Sequence, residues 1–594
     1  MTETQTKNTS TNSVRVCQNC KNTFTIEPED FAFYEKMQVP PPTWCPECRL
    51  KRRLSWRNER NLFRAKDAAT GKDIFTGITP HAPIKIYDIE YWRSDSWDPL
   101  DYGREYDFSR PFFEQWKESA YAIPWPSRSV IDLVNSDYCD QAGHLKNCYL
   151  CFNLDYVEDA AYVVKSDDCK NVIDLFEAHR VQLSYDSAMI DECFRAFYSI
   201  DCDSCTDVWF SKNLIGCNNC IGCMNLRNKS YHIFNAPYSK EEYTKKREAM
   251  NLHTRQGVET VRRESELFWK KFPVKFMRGL RNTGSSGEAL RNTKNAEHCY
   301  MIQDAENIKY VQMTYLNTTN SYDYTVWGNH SSQMYESLTC GEKCDNLRFC
   351  FDCWPACRNL EYCVSCRSSE NCFACIGLKK KQYCIFNKQY TEESFDKLRT
   401  RIVEHMNVVP YVNKRGATYR YGEFFPQEFS PFAFNETMLA DYFPLTKEEA
   451  LREGYVWRDP ESREFQVTIT AENIPDAIDT VDSGILKEIL QCGECKKAFR
   501  IIEAELEFYR RLKIPLPDRC SNCRYSRRRL LTNLPKFFEG NCACAGIADK
   551  SGVYKNTVSH HHGNGVCPNK FETSYAPDRK EIVYCESCYN IEVV

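Results

Sequence analysis

The chain has 594 residues and 34 cysteines, and its 78 lysines and arginines nearly balance 82 aspartates and glutamates, for a formal charge of −4. That near-balance excludes a global field that would draw the whole surface to nucleic acid or membrane, and the length exceeds what one hydrophobic core serves. The polar start MTETQTKNTSTNSVRV lacks an apolar secretion core, and no stretch reaches the roughly 18–20 apolar residues of a membrane helix. A cytoplasmic protein is therefore expected, with reduced thiols that bind metal or fill small apolar spaces rather than form disulfides.

In chain order, residues 1–16 read as a disordered tail and 17–66 as a metal-folded module. Cys17 and Cys20 form one CxxC turn, and Cys45 and Cys48 form a second. Two such pairs can close a tetrahedral four-sulfur site on zinc, and a module this small needs metal to supply much of its folding free energy. The following stretch, Arg49 to Arg64, carries seven basic residues against one acid. Residues 67–135 form a connector dense in aromatics and prolines, suited to packing as extended chain on a neighbour.

Residues 136–236 repeat with a nine-residue period. Lines such as `CYLCFNLDY`, `CDSCTDVWF` and `CIGCMNLRN` place cysteine or serine first, a small residue fourth and an aliphatic residue seventh. Such columns indicate a parallel β-solenoid, with nine taken as half of a coil of about 18 residues. Residues 237–290 read as a helical connector, where Ser239 and Glu242 form a capping box opening a long charged helix over 239–270. A second solenoid is expected over 291–388, because 357–395 aligns with 205–243; its period loosens between 299 and 350. Thr391 opens a shorter helix within a connector over 389–488.

The solenoid cysteines allow two readings. The set Cys202, Cys205, Cys220 and Cys223, repeated by Cys353, Cys357, Cys372 and Cys375, could converge on metal across neighbouring rungs. Alternatively they form a thiol ladder filling a narrow core, the favoured reading. An iron–sulfur cluster on Cys217, Cys220 and Cys223 lacks a fourth ligand.

The frame of the first module returns over 489–532. Cys492, Cys495, Cys520 and Cys523 repeat its spacing at an offset of 475, and Arg524, Arg527 and Arg528 repeat Arg49, Arg52 and Arg53. The last segment, 533–594, carries Cys567, Cys585 and Cys588. Its fourth ligand is open among Cys542, Cys544, His560, His561 and His562, with Cys544 preferred and the histidine triplet equally readable as an exposed turn.

Both terminal frames, with Phe24 or Phe499, Phe33-Tyr34 or Phe508-Tyr509, the prolines and the closing Cys-x₂-Cys-Arg, resemble the small zinc-ribbon domain of bacterial proteins, over about 45 residues each. The tail resembles another small bacterial CxxC zinc module. The layout is similar to multi-zinc-finger proteins of bacteria with reduced genomes. The resemblance implies a treble clef whose last cysteine pair opens a helix, and zinc as cofactor: three ions, or up to about five if the solenoids bind metal. It implies no particular activity.

The expected architecture is thus multidomain and mainly β, a duplicated solenoid with treble-clef fingers at both ends. No phosphate loop, nucleophile elbow or HExxH motif is present, so no catalytic residue is nominated and an enzyme is not expected. The reading is an adaptor that docks on nucleic acid or a ribonucleoprotein such as the ribosome through Arg49, Arg52, Arg53, Arg524, Arg527 and Arg528, with Trp56 placed to stack on a base. The rival is a protein-interaction scaffold, within an assembly or as a homo-oligomer, whose fingers are purely structural; the arginines themselves could also pair with acidic surfaces of the same chain or keep the helix solvated. A redox or metal-handling enzyme comes third.

Overall fold

The computed structural model describes residues 13–459, 465–547 and 554–594. The chain divides into two compact units: the described residues of Met1–Ser129 with Met277–Arg458, and those of Val130–Phe276 with Asp459–Val594. Unit 1 holds the second solenoid and the amino-proximal finger, and unit 2 holds the first solenoid, the second finger and the C-terminal cysteine module. Among the described residues, no helix is long and apolar enough to cross a membrane.

The solenoids are parallel and mainly β, as the repeats indicate, but the coil is not eighteen residues long. In unit 2, Val130 pairs with Ala142, Glu158 with Lys170, and Thr206 with Asn218 and then Asn218 with Ser230 across successive rungs, a step of twelve each time. Left-handed backbone recurs at every third position, as at Arg195, Tyr198, Asp201, Ser204 and Asp207, which turns four corners per coil. One residue per side therefore points inward. Cys193, Ala196, Cys202, Cys205, Val208 and Leu214 lie in that column and are buried together. Nine is a multiple of the underlying period of three: it finds the inward residues and misses the closure at twelve.

Unit 1 shows why the second repeat looks loose. Cys299 pairs with Gly287 at a step of twelve, but from Ala305 onward the step lengthens. Ala305 pairs with Thr318, Thr319 with Ser332, and Ser332 with Asp345, thirteen residues apart. The extra residue sits at a corner, where two consecutive residues take left-handed backbone: Leu316 and Asn317, Asn329 and His330, Glu342 and Lys343. The step returns to twelve from Arg358 to Glu370.

Several boundaries shift. Residues 1–12 of the expected tail lie outside the described residues, and Ser13–Val16 is a strand paired with Thr23–Ile26. Solenoid 1 starts at Val130 rather than 136, and in solenoid 2 Gly287–Glu297 already pairs with the next rung. The charged helix breaks in two, Lys240–Ala249 and Arg255–Trp269, where Asn251 turns left-handed and the Thr254 side chain caps the second. The helix after Thr391, Glu392–Val408, is the longer one.

The aromatic segments pack on solenoid 2 within unit 1. Trp116 stacks on Phe425 with ring centroids 4.2 Å apart, and Phe112 meets Tyr362 at 5.1 Å and Phe373 at 5.6 Å. These rings cover a solenoid face that would otherwise be wet.

Candidate metal centres and the arginine clamps

Finger 1 is a hairpin followed by two helices, Pro28–Lys36 and Pro46–Leu54. Cys17 and Cys20 flank the hairpin turn, while Cys45 is the N-cap of the second helix and Cys48 lies in its first turn. Finger 2 repeats this plan: Leu490–Gln491 pairs with Ala498–Phe499, and Cys520 caps the helix Ser521–Leu530. The ligand atoms of Cys17, Cys20, Cys45 and Cys48 lie within 4.8 Å of one another, and so do those of Cys492, Cys495, Cys520 and Cys523.

The donor geometry fits a tetrahedral dication. Sulfur ligands about 2.3 Å from zinc stand about 3.8 Å apart along a tetrahedron's edge. The Cys20–Cys45 and Cys495–Cys520 sulfurs are both 3.7 Å apart. Backbone N–H groups of Cys45 and Cys520 donate to the Cys17 and Cys492 sulfurs at 3.2 and 3.3 Å, which favours thiolate. Without a cation the four thiols oppose one another: the hydrogen bond shared with Cys17 pushes Cys45 up to about 12. In finger 2, burial works against ionisation of Cys492, yet the N–H groups of Cys520 and Cys495 bring it down to about 7.

In the C-terminal module the fourth sulfur is Cys542, not Cys544. Cys542, Cys567, Cys585 and Cys588 form the close group. Cys567 and Cys585 stand 3.9 Å apart, and the Cys542 sulfur accepts from the Cys585 N–H at 3.1 Å. Cys542 lies on the strand end beside Asn569, whose carbonyl accepts its N–H, and that pairing carries the sulfur in. Burial pushes Cys542 up to about 12, whereas Cys585 falls to about 7 because, against its burial, Asn569 and the Cys588 N–H favour its thiolate.

The solenoid sets do not gather. Among the described residues, ligand atoms approach in four groups, and Cys202, Cys205, Cys220, Cys223, Cys353, Cys357, Cys372 and Cys375 belong to none. These thiols instead bond to backbone carbonyls two residues back: Cys205 to Asp203 at 3.2 Å, Cys223 to Ile221 at 3.4 Å, Cys372 to Glu370 at 3.2 Å. Serine occupies the same slot, with Ser199 donating to Phe197 and accepting from the Ser211 N–H one coil later. The bore selects a small side chain with one donor and one acceptor, which cysteine and serine both provide.

Five of the six arginines are withheld from an outside phosphate, and the sixth, Arg527, keeps a quarter of its side chain exposed. Arg49, Arg52, Arg53, Arg524 and Arg528 are 0–3 % exposed. In unit 1, Arg49 meets Asp323 at 2.8 Å, Arg52 bridges Glu336 at 2.8 Å and Glu423 at 2.7 Å, and Arg53 meets Glu336 at 2.9 Å. In unit 2, Arg524 meets Asp174 at 2.7 Å, Arg528 spans Asp174 and Asp186 at 2.9 Å each, and Arg527 pairs with Asp186. Trp56, fully buried, packs against Phe425 at 5.2 Å and cannot stack on a base.

Sequence reading missed the acids. Asp174 and Asp186 occupy left-handed corners on adjacent rungs, as Asp323 and Glu336 do, and all four project toward a finger helix. The solenoid alignment has an offset of 152 near Cys205, yet Asp186 matches Glu336 at 150 and Asp174 matches Asp323 at 149. Each extra corner residue in solenoid 2 lowers the offset by one, which hid the correspondence.

Comparison with known proteins adds little. No family model matches the chain, and no curated protein matches it. A crystal structure of a proposed acetyltransferase from Desulfovibrio desulfuricans G20 is 9 % identical, covering 49 % of this chain and 74 % of its own, with a TM-score of 0.10. That likeness is too slight to bear on fold or activity.

Proposed function

We propose that this protein is a non-catalytic scaffold in which bound zinc shapes each finger so that its arginine helix clamps a solenoid. The observation that carries the reading is the burial of five of the six finger arginines against acidic corners of the solenoid in their own unit. Buried guanidinium–carboxylate networks fix registry between elements, and removing one partner leaves an uncompensated charge. A phosphate-docking helix would instead hold its arginines in solvent. Sulfur spacing of 3.7 Å supports zinc as the ion. The residual surface of the solenoids then serves a protein partner, the scaffold role weighed from sequence.

The test is nucleic-acid titration at several salt concentrations, run beside denaturant unfolding, for wild type, Arg52→Ala and Arg527→Ala. The scaffold reading expects lower unfolding midpoints in the variants and no arginine-dependent nucleic-acid binding. Binding that is lost in the variants while their midpoints stay unchanged would overturn it.

A further inference from the structure

The C-terminal module offers more ligand atoms than one ion can use. Beside the four sulfurs of Cys542, Cys567, Cys585 and Cys588 lies a second group, Cys544, His560, His562 and Cys588, also within 4.8 Å of one another. Cys588 belongs to both, and both Cys544 and Cys588 are fully buried. We propose that this module holds two zinc-class ions joined by the Cys588 thiolate, one in a four-sulfur site and one in a site of two sulfurs and two imidazoles. The proposal rests on the reading that the cysteine clusters bind metal and goes beyond it.

Distances favour the second site. A zinc–sulfur bond of about 2.3 Å and a zinc–nitrogen bond of about 2.0–2.1 Å set a sulfur–nitrogen edge of about 3.5 Å in a tetrahedron. The Cys544 sulfur lies 3.2 Å from His560 Nδ1 and 3.4 Å from His562 Nε2, and the Cys588 sulfur lies 3.4 Å from the same His562 Nε2. His561, between the two, is exposed, so the triplet is neither a free turn nor a three-histidine site.

The surroundings orient the donors. His560 Nε2 lies 3.1 Å from the Glu592 carboxylate, which fixes the proton there and leaves Nδ1 as a lone pair facing Cys544. Glu592 is itself held by Thr557 and Tyr554. Asn556 donates to the Cys544 sulfur at 2.9 Å and accepts from Tyr584 at 2.6 Å. Hence a histidine is oriented by a carboxylate, and a sulfur by an amide donor. Charge also favours two ions. Four thiolates around one dication leave two uncompensated charges in a buried site, whereas five around two dications leave one.

Native mass spectrometry of the intact zinc-loaded protein tests the count. Four ions per chain are expected, matching the four ligand groups, and three in Cys544→Ser. Three ions in wild type would overturn the second site while leaving the scaffold reading standing; a metal-free native protein would overturn both. Because Cys544→Ser can fail to fold, the intact wild type is also loaded with cadmium-113 and measured by NMR. A shared thiolate predicts two resonances split by coupling to each other. Resonances with no mutual splitting would overturn the bridge.

Discussion

Arg528 donates to Asp174 and Asp186, two carboxylates twelve residues apart in the chain and one rung apart in space. Replacing this arginine with methionine keeps the length but takes one guanidinium from each buried carboxylate, leaving Asp174 to Arg524 and Asp186 to Arg527 and Arg262. Because each carboxylate keeps another arginine, the cost expected is about 1–3 kcal/mol, read as a lower urea midpoint for unit 2. The same pairing sets an acid dependence. Burial opposes the charged form of Asp186, but Arg527, Arg528 and Arg262 outweigh it and hold its carboxyl well below the usual range. A depressed folded pKa gives stability that is present above the unfolded value of about 3.9 and lost as pH falls below it. The stability gap between wild type and Asp186→Asn should therefore be wide at pH 6 and narrow progressively below pH 4. A gap independent of pH would refute the assignment. The basic stretch was legible in the sequence, and its partners were not. They lie hundreds of residues away, at corners whose register an alignment at one offset cannot follow.

The solenoid bore is governed by a three-residue period. Cysteine in the inward column works as serine does, donating to one carbonyl and filling a narrow space. Cys205→Ser should then cost less than about 1.5 kcal/mol, since it keeps the donor and nearly the volume, whereas Ala196→Leu should cost about 1–3 kcal/mol by overpacking. Thermal unfolding of the two variants checks this, and equal losses would contradict the bore geometry. The fold class was legible because inward residues repeat whatever multiple of three is chosen. The coil length was not, since nothing in columns of nine reveals that the fourth side closes the ring. The two four-cysteine groups were legible, because a pair of CxxC turns brings four sulfurs together. The fourth sulfur of the last module was not, because Cys542 and Cys544 both stand close in sequence and strand pairing decides between them.

Each unit is assembled from two stretches separated in the chain. Finger 1 precedes solenoid 1 in sequence yet packs on solenoid 2, and finger 2 follows solenoid 2 yet packs on solenoid 1. A linear list of domains cannot express this exchange, since it appears only when acidic corners are matched to arginine helices. It predicts that residues 1–129 and 277–458, co-expressed as separate chains, copurify as a folded pair; independent elution would contradict it. The central claim is that metal holds each finger in the shape that grips its solenoid. Hydrogen exchange of the zinc-loaded protein before and after chelation tests it most directly. Removing the metal should abolish protection in the helices Pro46–Leu54 and Ser521–Leu530 while strands such as Lys170–His179 keep theirs. Finger helices that stay protected after complete metal removal would contradict the account.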